Sequence, residues 1–286
     1  MFVVVAAIAI GCGSTKAATP PRHEIYVSLG DSYAAGFQPT GPHKGATNRN
    51  GFAYQVVGLA AKRGYTLQLA NFGCGGATTV SLTAQKGCHQ LGPGGIRYPK
   101  ESQLAAALAY LKAHKGQISL VTMSLGGNDV TSCAKATDVV GCVTTAVAHI
   151  KTNLGAELQQ LRAAVGPTTL IVGTTYPDVI LGSYLDPSPS AQSLAKLSVT
   201  AFQSLINPAL GQAYQAVGGT LVDVTTATGA YTPLTDTTTL APYGTIPQAV
   251  AKVCELTYYC QYKDIHPKTA GYTIIAKLVA SELRER

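Results

Sequence analysis

The chain has few charged residues and no stretch in which charges of one sign accumulate. Only 12% of its 286 residues are charged, whereas 46% are hydrophobic and 30 are glycine. Such a composition excludes a disordered chain, because the apolar residues are numerous enough to form a large core. Lys and Arg outnumber Asp and Glu by 21 to 14, but the basic residues are scattered singly. We therefore expect no nucleic acid partner, which would need basic residues along a phosphate backbone.

Spacings typical of metal sites are also missing. The seven cysteines and six histidines form no CxxC, HxxxH or HExxH pattern, so no zinc site is expected. The sequence has no internal repeat either. Residues 23–286 fit one large domain better than two independent ones, and we expect that domain to be a monomer.

Residues 1–22 are expected to direct export. The segment from Phe2 to Ile10 is apolar but shorter than the about 20 residues that span a bilayer, and its length suits the core of a secretory signal. The segment ends in Ala9-Ile10-Gly11-Cys12, which is similar to a bacterial lipobox, although no Lys or Arg precedes it. The protein is therefore expected to be either secreted or a cell-surface lipoprotein tethered to a membrane through Cys12.

Six cysteines remain when Cys12 is set aside, and an even number is typical of disulfide-bonded exported proteins. The alternative is a cytosolic protein with free buried thiols. Closing a short loop costs the least chain entropy, so cysteines that are neighbours in sequence are expected to pair. This predicts three disulfides: Cys74–Cys88, Cys133–Cys142 and Cys254–Cys260.

Short β-rich apolar runs alternate along the chain with longer runs of helical spacing. This alternation predicts an α/β fold, a doubly wound sheet of five parallel strands with helices on both faces. Helical spacing is clearest in three groups: Leu104, Leu108 and Leu111; Val147, Ile150, Leu154 and Leu161; and Ile274, Ile275 and Leu278. The strands are expected at Glu24–Leu29, Thr66–Asn71, Ser119–Ser124, Thr168–Thr174 and Thr220–Val224.

Reactive groups of such sheets lie beyond the carboxyl ends of the strands. The segment 225–250 holds a single charged residue, Asp236, and is too long for a plain connection. We expect it to form a wall of the substrate cleft, with Tyr231 and Tyr243 offering apolar faces and polar tips.

Ser32, in Gly30-Asp31-Ser32, lies between the end of the first predicted strand and the start of a helix. A hydroxyl in such a turn can act as a nucleophile, because the helix start offers unpaired N–H groups to an oxyanion beside it. The alternative is an ordinary helix N-cap, which serine often provides.

Three further blocks follow in order, and together with the first they resemble a known family. Cys74-Gly75-Gly76-Ala77, Gly126-Gly127-Asn128-Asp129 and His266-Pro267 are similar to the remaining blocks of the SGNH hydrolases, also called GDSL esterases and lipases. The placement of the cysteines resembles the secreted actinobacterial lipase branch. This resemblance implies a flavodoxin-like sheet and a serine ester hydrolase that needs no metal or organic cofactor.

The chemistry of ester cleavage explains the residue types in these blocks. Ser32 would attack the carbonyl, and His266 would take the Ser32 proton and return it to the leaving alcohol. The developing negative oxygen needs preorganised donors. The N–H groups of Ser32 and Gly76 and the side chain of Asn128 would supply them if the first three strands end side by side. Pro267 suits the first position of a helix, which would place His266 at the start of the last helix.

The chain departs from the family pattern at the residue that orients the histidine. The family has Asp three positions before it, where this chain has Lys263, and Asp264 lies two positions before it instead. Two alternatives follow: the Asp264 carboxylate completes a triad, or the Lys263 carbonyl accepts from His266 in a dyad. Asp31 and Asp129 are expected to be structural, fixing their loops by hydrogen bonds to the backbone.

These residues favour an exported hydrolase of lipid or other neutral carboxylic esters that acts through an acyl-Ser32 intermediate. A polysaccharide O-deacetylase using the same site is the alternative within the enzyme class. A cell-surface binding protein that keeps the fold without turnover is the alternative of another class.

Overall fold

The computed structural model describes residues 23–285. The expected export segment with Cys12 lies outside the described residues, and none of the helices in the described part is long and apolar enough to cross a membrane. The strands are β1 (His23–Gly30), β2 (Phe37–Gly41), β3 (Lys44–Thr47), β4 (Thr66–Asn71), β5 (Ile118–Ser124), β6 (Leu170–Thr174), β7 (Thr220–Val222), β8 (Thr237–Leu240) and β9 (Gly244–Pro247).

Helices connect these strands and cover both faces of the main sheet. Two 3₁₀ segments, Ser132–Lys135 and Val179–Leu185, and one π-helical segment, Phe202–Ile206, lie between them. The α-helices are α1 (Ser32–Ala35), α2 (Phe52–Ala61), α3 (Ser81–Ala84), α4 (Gln103–Ala113), α5 (Gly127–Thr131), α6 (Val139–Val165), α7 (Pro189–Ala201), α8 (Asn207–Gln215), α9 (Val224–Ala227), α10 (Gln248–Leu256), α11 (Tyr259–Tyr262) and α12 (Thr269–Ser281).

The five predicted strands form one parallel sheet in the order β4-β1-β5-β6-β7. The first strand of the described residues, β1, lies in the interior of this sheet, and the later strands extend it to both edges, which confirms the doubly wound α/β fold. The last predicted strand was too long. It ends at Val222, because the Asp223 carboxylate accepts from the N–H of Thr226 at 2.9 Å and starts α9.

Sheet order decides which loops meet at the carboxyl edge. Strand β1 lies between β4 and β5, so the loops after these three strands are neighbours. The end of β1 is fixed by Gln103, which accepts from the Gly30 N–H at 2.7 Å and donates to the Gly30 carbonyl at 3.0 Å. Gly30 has a φ of 123°, and a Cβ there would overlap the carbonyl of Ser124. Only glycine lets the chain leave the sheet at this point.

The structure contains the three disulfides expected from the cysteine spacing. Each of them lies outside the main sheet. Cys74–Cys88 closes the loop after β4, Cys133–Cys142 joins the segment Ser132–Lys135 to the first turn of α6, and Cys254–Cys260 joins α10 to α11. All three therefore brace segments that follow or flank the carboxyl edge.

Helix α6 buries one ionisable side chain in the core. Glu157 is 2% exposed, and neither oxygen of its carboxyl group has a hydrogen-bond partner within residues 23–285. Burial, together with the charge of Asp129, raises the pKa of Glu157 from 4.5 to about 8. The folded protein therefore holds this carboxyl group uncharged at neutral pH, whereas the unfolded chain ionises it.

Replacing Glu157 by Gln is expected to stabilise the protein at alkaline pH. The wild type loses stability as the pH rises from about 4.5, where the unfolded chain ionises, through about 8, where the folded carboxyl group ionises. Gln has the same shape and does not titrate. Urea unfolding should give the variant a free energy of unfolding a few kcal/mol above the wild type at high pH, and nearly equal to it below about pH 4.5. A difference that does not change with pH would contradict this account.

Candidate active site

Ser32 begins the short helix α1 at the carboxyl end of β1. The Asp31 carboxylate caps this helix by accepting from the N–H of Tyr33 at 2.9 Å. Ser32 is therefore not the capping residue, and its hydroxyl is free for another contact. Although Ser32 is only 5% exposed, it lines a cavity described below.

His266 contacts Ser32 across 234 positions of sequence. Its Nε2 lies 2.8 Å from the Ser32 Oγ, and its Nδ1 lies 2.6 Å from the Asp264 Oδ1. The same carboxylate oxygen accepts from the backbone N–H of His266 at 2.9 Å. Of the two groups considered for orienting the imidazole, the structure thus places the Asp264 carboxylate on Nδ1.

A left-handed residue compensates for the changed spacing before the histidine. Lys263 has a φ of 55° and donates its N–H to the Tyr259 carbonyl at 2.7 Å, which ends α11. The chain therefore reverses at Lys263 and returns Asp264 to the imidazole. Partial burial by itself would raise the pKa of Asp264. The hydrogen bonds from His266 and the electrostatic attraction of its imidazole outweigh burial, so the pKa of Asp264 lies below its usual value. The carboxylate is therefore charged at neutral pH.

The sequence predicted that the last helix begins at Pro267, and this prediction was wrong. Helix α12 starts at Thr269, because Pro267 forms an isolated β-bridge with Thr257 instead. The N–H of Tyr258 accordingly bonds to the His266 carbonyl at 3.0 Å. His266 is held in an extended segment between two helices rather than in a helical turn.

Aromatic and amide side chains from the β1–β2 region fix that segment. The Tyr33 hydroxyl donates to the Ile265 carbonyl at 2.7 Å, and the Gln38 amide donates to the Pro267 carbonyl at 3.1 Å. The ring of Phe37 packs 4.5 Å from the imidazole, centroid to centroid. These contacts connect the segment that carries His266 to the loop that carries Ser32.

The three expected oxyanion donors follow the adjacent strands β1, β4 and β5. Gly76 has a φ of 79°, and nothing lies within 4 Å of the place where a Cβ would be. Its neighbours Gly75 and Ala77 donate their N–H groups to carbonyls, whereas the N–H of Gly76 has no acceptor within residues 23–285. The Asn128 side chain donates to the Ala77 carbonyl at 2.8 Å, which keeps its amide beside the Gly76 loop.

Asp31 and Asp129 make the structural contacts expected of them. Asp31 accepts from the Tyr176 hydroxyl at 2.6 Å as well as from the Tyr33 N–H. Burial raises the pKa of Asp31 to about 6, although these hydrogen bonds favour its charged form. Asp129 accepts from the Thr79 hydroxyl at 2.6 Å and from the Thr79 N–H. This bond joins the loop after β4 to the loop after β5.

A cavity of about 230 Å³ extends from Ser32 across the carboxyl edge. Its lining includes Asp31, Ser32, Gly127 and Asn128, and Asp31 is its only charged residue. The remaining lining is mostly apolar. It comes from the start of α6, the segment Val179–Leu185, α7 and the segment Phe202–Ile206, and includes Val140, Val143, Val179, Ile180, Leu194, Leu197, Ala201, Phe202, Leu205 and Ile206.

The expectation that 225–250 forms a cleft wall was wrong. None of its residues lines this cavity. Ala230 and Ala249 pack with Leu181, so part of 225–250 covers the segment Val179–Leu185. Tyr231 accepts from Asn207 at 3.0 Å, and Tyr243 donates to the Cys260 carbonyl at 3.2 Å.

A family profile covers most of the chain and includes all the residues that meet at Ser32. The profile of the GDSL-like Lipase/Acylhydrolase family matches residues 28–274. The chain belongs to this family. It has no match among curated proteins.

Solved structures share the fold of this GDSL-like acylhydrolase at low identity. An extracellular lipase from Streptomyces rimosus is 19% identical with a TM-score of 0.53, over 91% of this chain and 100% of the other. A lipase from a goat rumen metagenome is 15% identical with a TM-score of 0.53, over 92% and 99%. An acetyl xylan esterase from Geobacillus stearothermophilus is 16% identical with a TM-score of 0.50, over 91% and 94%.

The cavity wall of this GDSL-like acylhydrolase was missed in the sequence, although a signal for it exists. Ser188 and Pro189 form a helix start, with the Ser188 hydroxyl accepting at the first turn of α7. Apolar residues then recur at three- and four-residue spacing, as a helix with one buried stripe requires: Leu194, Leu197, Ala201 and Leu205. This stripe predicts a helix, but it does not predict that the apolar side of the helix faces a cavity instead of another helix or the sheet.

Proposed function

We propose that the protein hydrolyses carboxylic esters through an acyl-Ser32 intermediate. The observation that carries this proposal is the chain of two short hydrogen bonds from Ser32 Oγ through His266 to Asp264, 2.8 and 2.6 Å long. A hydroxyl paired with an imidazole that is itself oriented by a carboxylate is the arrangement that activates a serine nucleophile.

The first half of the reaction forms the acyl-enzyme. His266 Nε2 takes the proton of Ser32 as Oγ bonds to the ester carbonyl carbon, and the carbonyl oxygen becomes an oxyanion. The bond to the alcohol oxygen then breaks, and His266 delivers its proton to that oxygen, so that a neutral alcohol leaves. Asp264 stabilises the imidazolium that exists between these two proton transfers.

The second half repeats the sequence with water. His266 takes a proton from water as its oxygen bonds to the acyl carbon, and it returns the proton to Ser32 Oγ as that bond breaks. A carboxylic acid leaves. The N–H groups of Ser32 and Gly76 and the amide of Asn128 would donate to the oxyanion in both halves.

The two alternative functions, a surface binding protein and a deacetylase, have less support than the proposed ester hydrolase. A surface binding protein has no use for the paired Ser32 and His266, whose alignment serves proton transfer. A deacetylase needs space only for a methyl group on the acyl side of the ester. The cavity of about 230 Å³ beside Ser32 would then be unused.

Labelling by a fluorophosphonate probe tests the proposal. We expect one probe per chain, bonded to Ser32 when the labelled peptides are mapped by mass spectrometry, and we expect no label on a Ser32→Ala variant. A Ser193→Ala variant, at an exposed serine of α7, serves as the control and should label like the wild type. A folded wild type that never labels, or a label that persists in Ser32→Ala, would overturn the proposal.

We also propose that the chain is exported. Three disulfides are typical of oxidising compartments, and the similar Streptomyces protein is an extracellular lipase. The mass of the mature chain should be measured in the culture medium and in the membrane fraction. A chain without lipid in the medium indicates secretion, and a chain with a lipid on Cys12 in the membrane fraction indicates a tether.

A further inference from the structure

We propose that the cavity beside Ser32 is an acyl-chain groove that selects medium and long acyl groups over acetyl, with Thr200 and Ala201 as specificity-determining residues. This inference rests on the proposed function. It goes further by assigning the acyl rather than the alcohol part of the ester to the cavity, and by naming the residues that set its length.

The positions of Asn128 and His266 decide which part of the ester enters the groove. The tetrahedral carbon bears four groups: the Ser32 oxygen, the oxyanion, the leaving oxygen and the acyl chain. The leaving oxygen must lie at His266 Nε2 to receive its proton, and His266 does not line the cavity. Gly127 and Asn128, on the oxyanion side, do line it. The acyl chain is therefore the group that points into the cavity.

The chemistry of the lining suits a hydrocarbon chain. Asp31 is the only charged residue of the lining, and its carboxylate is occupied by the hydroxyl of Tyr176 and the N–H of Tyr33. At about 30 Å³ for a group of the size of water, a cavity of about 230 Å³ has room for about eight carbons. Each buried methylene stabilises the bound chain enough to raise binding about fourfold.

A π-helical turn shapes the outer part of the groove. The N–H of Asn207 bonds to the Phe202 carbonyl, five residues back, and such turns are frequent at functional sites. Three residues of this turn, Phe202, Leu205 and Ile206, line the cavity. Leu205 is 38% exposed, and Val140 of α6, which also lines the cavity, is 55% exposed. The groove therefore opens to solvent between α6 and the π-helical turn.

An open end predicts the shape of the chain-length profile. An acyl chain longer than the groove can emerge past Val140 and Leu205 into solvent instead of meeting a wall. We therefore expect kcat/KM to rise from acetate to octanoate by at least tenfold and then to level off, rather than to fall sharply.

Two series of esters and one matched pair of variants test the assignment. One series keeps the p-nitrophenyl leaving group and varies the acyl group from acetate to laurate. The other keeps the acetyl group and varies the alcohol from methyl to decyl. Thr200 and Ser193 are both exposed residues of α7, but only Thr200 lines the cavity. Thr200→Phe narrows the groove, and Ser193→Phe adds the same bulk outside it.

We expect Thr200→Phe to lower the octanoate-to-acetate ratio of kcat/KM by about tenfold and to leave the alcohol profile unchanged. Ala201→Phe should do the same, and Ser193→Phe should keep the wild-type ratio. Melting temperatures show that each variant is folded. A change in the alcohol profile instead, an unchanged acyl ratio in both groove variants, or a wild-type acyl profile that is flat would overturn the groove. A wild type that hydrolyses no ester of either series would contradict the proposed function itself.

Discussion

An Asp264→Asn variant is expected to lose about 10³- to 10⁴-fold in kcat while its fold and its substrate binding persist. The carboxylate contacts His266 Nδ1 at 2.6 Å and holds the imidazole in the tautomer whose Nε2 can accept the Ser32 proton. An amide of the same shape favours the wrong tautomer and does not stabilise the imidazolium, which is the source of losses of this size.

A second variant separates this effect from a general loss of charge. Asp236 is exposed and lies outside the cavity, so Asp236→Asn should turn over p-nitrophenyl butyrate at the wild-type rate. If Asp264→Asn retained most of its kcat, the carboxylate would have no orienting role, and the dyad with a backbone carbonyl would become the better account. Because His266 transfers protons in both halves of the reaction, pre-steady-state measurement should show that both the p-nitrophenol burst and the following steady state are slower in Asp264→Asn.

An Asn128→Ala variant is expected to lose about 10²- to 10³-fold in kcat with little change in KM. If the side-chain amide donates to the oxyanion, its removal raises the barrier by about 2.7 to 4 kcal/mol. The ground-state carbonyl carries little negative charge, so substrate binding depends much less on the same donor. Steady-state kinetics on one soluble ester gives both constants.

Asn153 provides the matched control for this prediction. Its amide donates to the Thr79 hydroxyl at 3.2 Å, and Thr79 belongs to the same loop as Ala77, which accepts from Asn128. Asn153→Ala thus removes a hydrogen bond to that loop without removing a donor near Ser32. We expect its kcat to stay within about threefold of the wild type. Equal losses in the two variants would mean that Asn128 only supports the loop.

The sequence predicts the sheet well because the sheet depends on patterns that are local. The central strands β1, β5 and β6 are mostly buried and are written as largely apolar runs. The edge strand β4 instead begins with alternating exposed and buried residues, and it still has the predicted bounds, Thr66–Asn71. The strand order brings Ser32, Gly76 and Asn128 to one edge. The residues expected at this edge were named from the four blocks that resemble the SGNH hydrolases, and their roles there stay a prediction.

Two features depend on tertiary contacts and could not be read in the same way. A proline after His266 is a helix-start signal, but Pro267 pairs with Thr257 across a bridge, and the partner lies on another element. Likewise, 225–250 is polar and long enough for a cleft wall. Its small apolar residues instead cover Leu181, a packing choice that local composition does not reveal.

The three disulfides lie next to the candidate site rather than in the main sheet. The sheet is held by hydrogen bonds between its strands and by packing, whereas covalent links reach the three places on which the proposed reaction would depend. Cys74 precedes the Gly76 loop, Cys142 lies at the start of the helix that walls the groove, and Cys260 lies in α11, just ahead of Asp264. In a reducing environment the sheet could still form, but the Gly76 loop, the start of α6 and the segment before Asp264 would lack their covalent links. If the protein is exported as we propose, these links form only in the oxidising compartment, so the site would be completed after the chain has left the cytoplasm.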